Sequence, residues 1–168
     1  EEGVEARLDN RPVPFKLYLL DREMTTPVAT DWFWRLMSVK LSTKSRYGTR
    51  LMLDLAEHGT HQFVQLKDVS RRQEISLKYL EQIVIPLKRA KCLVSARGAG
   101  GGYRLARSPE EITVGEIVAL LEGGKSIAHC ATNHEVCDRA ASCLTRILWV
   151  QTGEALFGML NSVTLSDL

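Results

Sequence analysis

Apolar residues recur at helical spacing from Tyr47 onward, with Leu51 and Leu55 following at intervals of four and Met52 offset beside them. This stripe predicts a helix, with Ser42 placed to cap its start and Gly59 to end it. A second, shorter helix is expected over about residues 66–73, with Leu66 and Val69 facing inward. Glu74 and Ile75 make a tight connection, and Ser76 caps a third helix running through Leu77, Leu80 and Val84. Pro86 removes a backbone donor, so this helix is expected to kink or break near Gln82. Two helices joined by so short a turn have the spacing of a helix-turn-helix.

The period then changes. Leu93–Arg97 and Tyr103–Ala106 read as two short strands around the glycine-rich stretch Gly98–Gly102, which makes a β-hairpin, and a hairpin after a helix-turn-helix is a wing. The glycine run lacks the Gly-Lys-Ser/Thr ending of a nucleotide-binding loop and the spacing of a dinucleotide fingerprint, so a phosphate-cradling role is rejected. Ser108-Pro109-Glu110-Glu111 and Thr113-Val114-Gly115-Glu116 each have the pattern of a capping box, the second opening a helix through Ile117, Leu120 and Leu121 that stops at Gly123-Gly124. After a loop over about residues 125–142, a final helix of about residues 144–161 puts Leu148, Ala155, Leu156 and Met159 along one side. In a chain of this size, apolar residues on more than one face suggest packing against a partner helix; folding back on its own domain is the other reading. The expected fold is mainly α with a small β-hairpin wing: a winged helix-turn-helix plus a long C-terminal dimerisation helix.

Residues 1–36 show no sustained apolar period and contain Pro12, Pro14 and Pro27. They are expected to be an N-terminal extension outside the native domain, with Met37 as the natural start; a genuine extension packing Trp32, Phe33 and Trp34 on the body is the alternative. The body then divides into a DNA-binding domain over 37–107 and a C-terminal part over 108–168.

Charge sharpens this division. The overall balance is only +2, but residues 37–107 carry 14 Lys and Arg against 5 Asp and Glu, while 1–36 and 108–168 are net acidic. A basic segment between acidic ones suits a polyanion partner, although a solvated helical face would look the same on charge alone. With 45% apolar and 25% charged residues the composition is that of a globular protein. No apolar run approaches a bilayer span, and no secretory signal is visible, which points to a cytoplasmic protein without a membrane partner.

Side chains at the helix-turn-helix can be sorted by the DNA group they suit. The start of the third helix offers Ser76, Lys78, Tyr79, Glu81 and Gln82; Gln82 can pair with adenine and Glu81 can accept from a cytosine amino group. Lys44, Arg46, Arg71 and Arg72 suit phosphates. Arg97, beside the flexible glycine loop, suits a narrow minor groove.

Three of the four cysteines, Cys130, Cys137 and Cys143, fall within fourteen residues. Their spacing is wider than the Cys-x2–4-Cys knuckles of structural zinc sites, and no secretion signal supports a disulfide framework. Soft thiolates on a loop suit an iron–sulfur cluster; redox-active thiols fit the spacing equally well. Cys92 is expected in the core. No catalytic triad or general-base carboxylate pair is visible, so an enzyme is not expected.

The runs Lys40–Tyr47, Ile75–Gln82 and Leu93–Tyr103, the last with Arg-Gly-x-Gly-Gly-Gly-Tyr, resemble the Rrf-two family of bacterial winged-helix transcriptional regulators, and within it the members controlled by an iron–sulfur cluster. The resemblance continues through Thr113–Ile117, Cys143-Leu144-Thr145 and Leu160–Leu165, covering nearly all of 37–168 and none of 1–36. It implies a homodimer on a pseudo-palindromic double-stranded operator, Glu81 tuning which DNA motif is accepted, Arg97 in the minor groove, the final helix as dimer interface, and a cluster on Cys130, Cys137 and Cys143. That cluster is expected to be 2Fe–2S in preference to 4Fe–4S. The chain departs from the pattern at Arg146, where such members have a histidine ligand, and at Lys44-Ser45-Arg46, where others supply a carboxylate. The fourth ligand is therefore open among His129, His134, Glu135, Asp138, a small thiol and water. An open iron position would suit a sensor of oxidative or nitrosative stress as well as one of cluster supply. The alternative within the same fold is a cluster-free regulator with thiol redox sensing.

Overall fold

The computed structural model describes residues 41–60, 62–98 and 100–168. The readings made for residues 1–36, Met37 and Lys40 lie outside the described residues.

Helix α1 spans Thr43–His58 and begins as its cap predicts: the Ser42 hydroxyl accepts the Ser45 backbone N–H at 3.2 Å. Its inward face buries Leu51, Met52 and Leu55. Helix α2 (Leu66–Gln73) buries Leu66 and Val69 and ends on Glu74 in the left-handed conformation, φ 54°. The Ser70 hydroxyl donates to the Ile75 carbonyl at 2.6 Å and braces that turn. Helix α3 (Leu77–Arg89) starts on Ser76, whose hydroxyl accepts the Tyr79 N–H, and sinks Leu80, Ile83, Val84 and Leu87 into the same core.

One expectation for α3 is corrected. The interruption near Gln82 does not occur, and the helix continues past Pro86 to Arg89. Ile83, Val84 and Leu87 on both sides of the proline are anchored in one core, and burying three such side chains outweighs one missing hydrogen bond. Leu77, at the start of the helix, is 41% exposed.

Strands β1 (Leu93–Ala96) and β2 (Gly102–Leu105) pair antiparallel with Leu93 opposite Leu105 and Ala96 opposite Gly102. Tyr103 also exchanges both backbone hydrogen bonds with Val64, at 2.8 and 2.9 Å, which fastens the wing to the segment before α2. Gly102 permits that approach: its φ is +153°, and a Cβ there would lie 2.3 Å from the Val64 oxygen.

A 3-10 turn at Pro109–Glu111 closes both arms of its capping box. Helix α4 (Val114–Glu122) uses only half of the second box. The Thr113 hydroxyl accepts the Glu116 N–H, but the Glu116 carboxylate turns away to Arg107 at 2.5 Å, a guanidinium being the stronger partner. α4 crosses α1 at Gly48, where a Cβ would fall 2.1 Å from Leu121 Cδ1. A single turn, α5 (His129–Thr132), and a 3-10 turn, His134–Val136, precede the long helix α6 (Leu144–Asn161). The chain then returns to the body: the Leu165 N–H donates to Ile112 at 2.9 Å and the Leu165 side chain is buried in the main core. Among the described residues no helix is long and apolar enough to cross a membrane.

Candidate nucleic-acid interface and cysteine segment

The exposed start of α3 carries Ser76, Lys78, Glu81 and Gln82 on its outer side, as a helix that reads base edges requires. Tyr79 is half-buried and packs edge-on against Tyr47 on α1, with ring centroids 5.8 Å apart, so its ring serves the α1–α3 contact. Lys44 and Arg46 lie on the first turn of α1, Lys44 half-buried and Arg46 exposed with a long bond to the Thr43 hydroxyl at 3.4 Å. Arg71 is 78% exposed on α2. Arg97 is exposed at the tip of the hairpin, next to Gly98 at φ +102°.

Arg72, expected at a phosphate, pairs its guanidinium with Asp54. Asp54 on α1 is fully buried and accepts from Arg72 Nε at 2.9 Å and Nη2 at 2.5 Å, and from Gln73 Nε2 at 3.0 Å. Arg50 continues the network, donating to the Gln73 side-chain and backbone oxygens while its guanidinium lies over the Tyr47 ring. Burial alone would raise the Asp54 carboxyl, but the hydrogen bonds from Arg72 and Gln73 and the Arg72 charge outweigh it and hold the group below its usual range. The effect is to lock α2, and with it the turn into α3, onto α1. The signal for this was an acid on the inward face of an apolar stripe, which has to find a partner in the fold.

The first turn of α1 has a second anchor. Glu122, at the end of α4, accepts the Ser42 N–H at 2.9 Å and the hydroxyl of buried Ser45 at 2.5 Å. Burial would raise the Glu122 carboxyl, and these hydrogen bonds reverse the shift and lower it. Cys92 is buried as expected, its thiol pushed up by burial first and by Glu116 second.

All four cysteines are free thiols. Cys130 and Cys143 are half-buried and Cys137 is exposed; of residues 125–143 whose burial is described, only Ala140 is buried. Cys143 caps α6, and hydrogen bonds from the Thr145 hydroxyl and then the Arg146 N–H lower its thiol. Among the described residues no three His, Cys, Asp or Glu side chains are gathered closely enough to hold a metal. By donor chemistry, three accessible free thiols still suit a soft, thiolate-bound group. His129, Glu135 and Asp138 are exposed in the same segment, while the reading for the His134 side chain lies outside the described residues. Arg146 has no lone pair to offer, and its guanidinium donates to the Cys130 and Ala131 carbonyls.

The model of the family described as Rrf2, iron-dependent transcriptional regulator, matches residues 41–168. The chain belongs to the Rrf2 family of transcriptional regulators. The protein rrf2 of Nitratidesulfovibrio vulgaris is 45% identical over 130 residues, covering 77% of this chain and 87% of its own. Among solved structures, IscR of T. potens is 37% identical with a TM-score of 0.63, covering 79% of this chain and 87% of that one. CymR of B. subtilis, titled a global cysteine regulator, is 38% identical with a TM-score of 0.63 over 77% of this chain and 95% of that one. These Rrf2 relatives make the hairpin a wing and the chain a DNA-binding regulator; IscR of Aliivibrio salmonicida, 38% identical over 130 residues, is named an HTH-type transcriptional regulator, not an enzyme.

Proposed function

We propose that this protein is a cytoplasmic homodimer that binds a pseudo-palindromic operator through α3 and the wing, and that an iron–sulfur cluster on Cys130, Cys137 and Cys143 sets the strength of that grip. The observation that carries this reading is the set of three accessible free thiols on one loosely packed segment, in a chain whose body is otherwise a closed core. The family description as iron-dependent supports it. A bound cluster would supply redox and ligand-exchange chemistry there, and the three cysteines would hold it.

On the DNA side, Gln82 meets a base edge, Lys44, Arg46 and Arg71 neutralise phosphates, and Arg97 enters a minor groove. Glu81 excludes operators that lack a cytosine amino group to satisfy it. Arg72 acts by fixing α2 through Asp54. The dimer forms through the outer face of α6, where Leu144 is 81%, Leu148 52% and Met159 46% exposed on the side opposite buried Phe157.

An anaerobic absorption spectrum with iron and sulfide analysis tests the cluster. The native protein should be coloured, and Ala at any one of the three cysteines should remove the colour while the fold persists. A colourless native protein would turn the reading to thiol sensing, which the lowered Cys143 thiol and the likeness to a cysteine regulator favour. Glu at Leu148 and Met159 together should give monomers on sedimentation.

A further inference from the structure

We propose that Arg146 is a positioning residue that holds the two ends of the cysteine segment together in the metal-free protein, keeping Cys130 beside Cys143. The proposal rests on the reading that these cysteines act as one centre. Arg146 Nε donates to the Cys130 carbonyl at 2.8 Å and Nη2 to the Ala131 carbonyl at 3.3 Å, while its own backbone N–H donates to the Cys143 carbonyl at 3.2 Å. One residue therefore touches the backbone of both cysteines, across a separation of thirteen residues in sequence.

Its place on the helix makes this possible. Arg146, Val150, Gly153 and Phe157 follow one another at intervals of four, three and four, so they share a face of α6, and Gly153 and Phe157 on that face are buried. The side chain thus leaves α6 toward the body, where the segment passes. Between Ala131 and Thr132 on one side and Trp149, Val150, Gly153 and Phe157 on the other lies a cavity of about 290 Å³. Beside that cavity the guanidinium-to-carbonyl bonds tie the segment to α6, and charge-assisted bonds are the stronger kind. Holding the ends of a loop removes part of the closure cost that any ligand joining its thiols would otherwise bear. Arg146 does this without being a ligand.

The test uses the full chain, metal-free and anaerobic, with Cys137→Ser so that Cys130 and Cys143 are the reactive pair; Cys92 is buried. The rate at which a short bis-maleimide links the two thiols is measured by mass spectrometry and divided by each thiol's rate with a mono-maleimide. Arg146→Met, which keeps the stem and loses the donors, should slow linking about tenfold, and Arg146→Lys should fall between, since one ammonium replaces a two-pronged donor. Linking at the native rate in Arg146→Met overturns the clasp. Should Arg146→Met lose helix by circular dichroism, Arg146→Lys decides alone, a native rate again overturning it. In parallel, cobalt(II) is titrated into the chain with all three cysteines. Native protein that shows no thiolate-to-cobalt absorption while its linking rate depends on Arg146 would sink the shared-centre reading and leave the clasp standing.

Discussion

The winged-helix body and the cysteine segment are held by different means. In the body, Leu51, Met52, Val69, Leu80, Ile83 and Leu87 are completely buried, and the fully buried acid Asp54 is matched by a guanidinium and an amide. Among the described residues no buried side-chain nitrogen or oxygen lacks a partner. Of the described residues in the segment from Lys125 to Cys143, by contrast, only Ala140 is buried, and the segment is joined to α6 by hydrogen bonds to its backbone. A body of the first kind keeps its shape whatever is bound, which DNA reading needs. A segment of the second kind has too little buried surface to set its own geometry, so a ligand that binds it can change its conformation.

The largest effect that would break this contrast is in the core. Leu80→Ala should lower the stability of the body by about 2–5 kcal/mol in urea unfolding, since its side chain is fully enclosed. A loss under 1 kcal/mol would mean the body is not the rigid partner described. Asp54→Ala comes next, at about 3 kcal/mol, the low end for breaking a buried pair because Arg72 keeps 29% exposure and can turn to water. It should also weaken operator binding, because α2 and the turn into α3 lose their tie to α1.

A pH titration sharpens the same point with a smaller effect. The Asp54 carboxyl is lowered in the folded state, so its contribution is full above the ordinary aspartate range and is lost as pH falls through that range to the lower folded value. Native protein should therefore lose more stability than Asp54→Asn as pH falls from 6 to 3 in urea unfolding. Equal losses would show that other carboxylates govern acid unfolding. The smallest effect is expected in the segment. Replacing Cys130, Cys137 and Cys143 together by Ser should leave the melting of the metal-free body within about 2 °C, since none of the three is buried and substitutions away from the core typically change stability little. A drop of several degrees would erase the distinction between the two regions.

Gln82→Ala separates reading from positioning at the interface. It should cost about 1–3 kcal/mol on the preferred operator and relax discrimination at one base, while Lys44→Ala lowers binding to all sequences and reduces the salt slope by about one. Anisotropy titrations on an operator panel measure both, and a uniform loss from Gln82→Ala would remove α3 from the role of reading helix.

Much of the body was legible in the chain because its signals are local. The caps at Ser42, Ser76 and Thr113, the turn after Gln73, the glycine-rich hairpin and the bounds of α6 each depend on residues a few positions apart. Tertiary packing decided the rest. Pro86 sits inside a helix because a core built from distant segments holds both sides of it. Arg72 found its partner Asp54 eighteen residues away on another helix, and Glu122 reached Ser42 across eighty. Arg146 could be read from the sequence only as a missing ligand. Its bonds to Cys130 and Ala131 depend on where the segment passes α6, which no local pattern encodes. Short-range backbone preferences act within a turn or two, whereas an ion pair or a clasp exists only after the chain has brought its halves together.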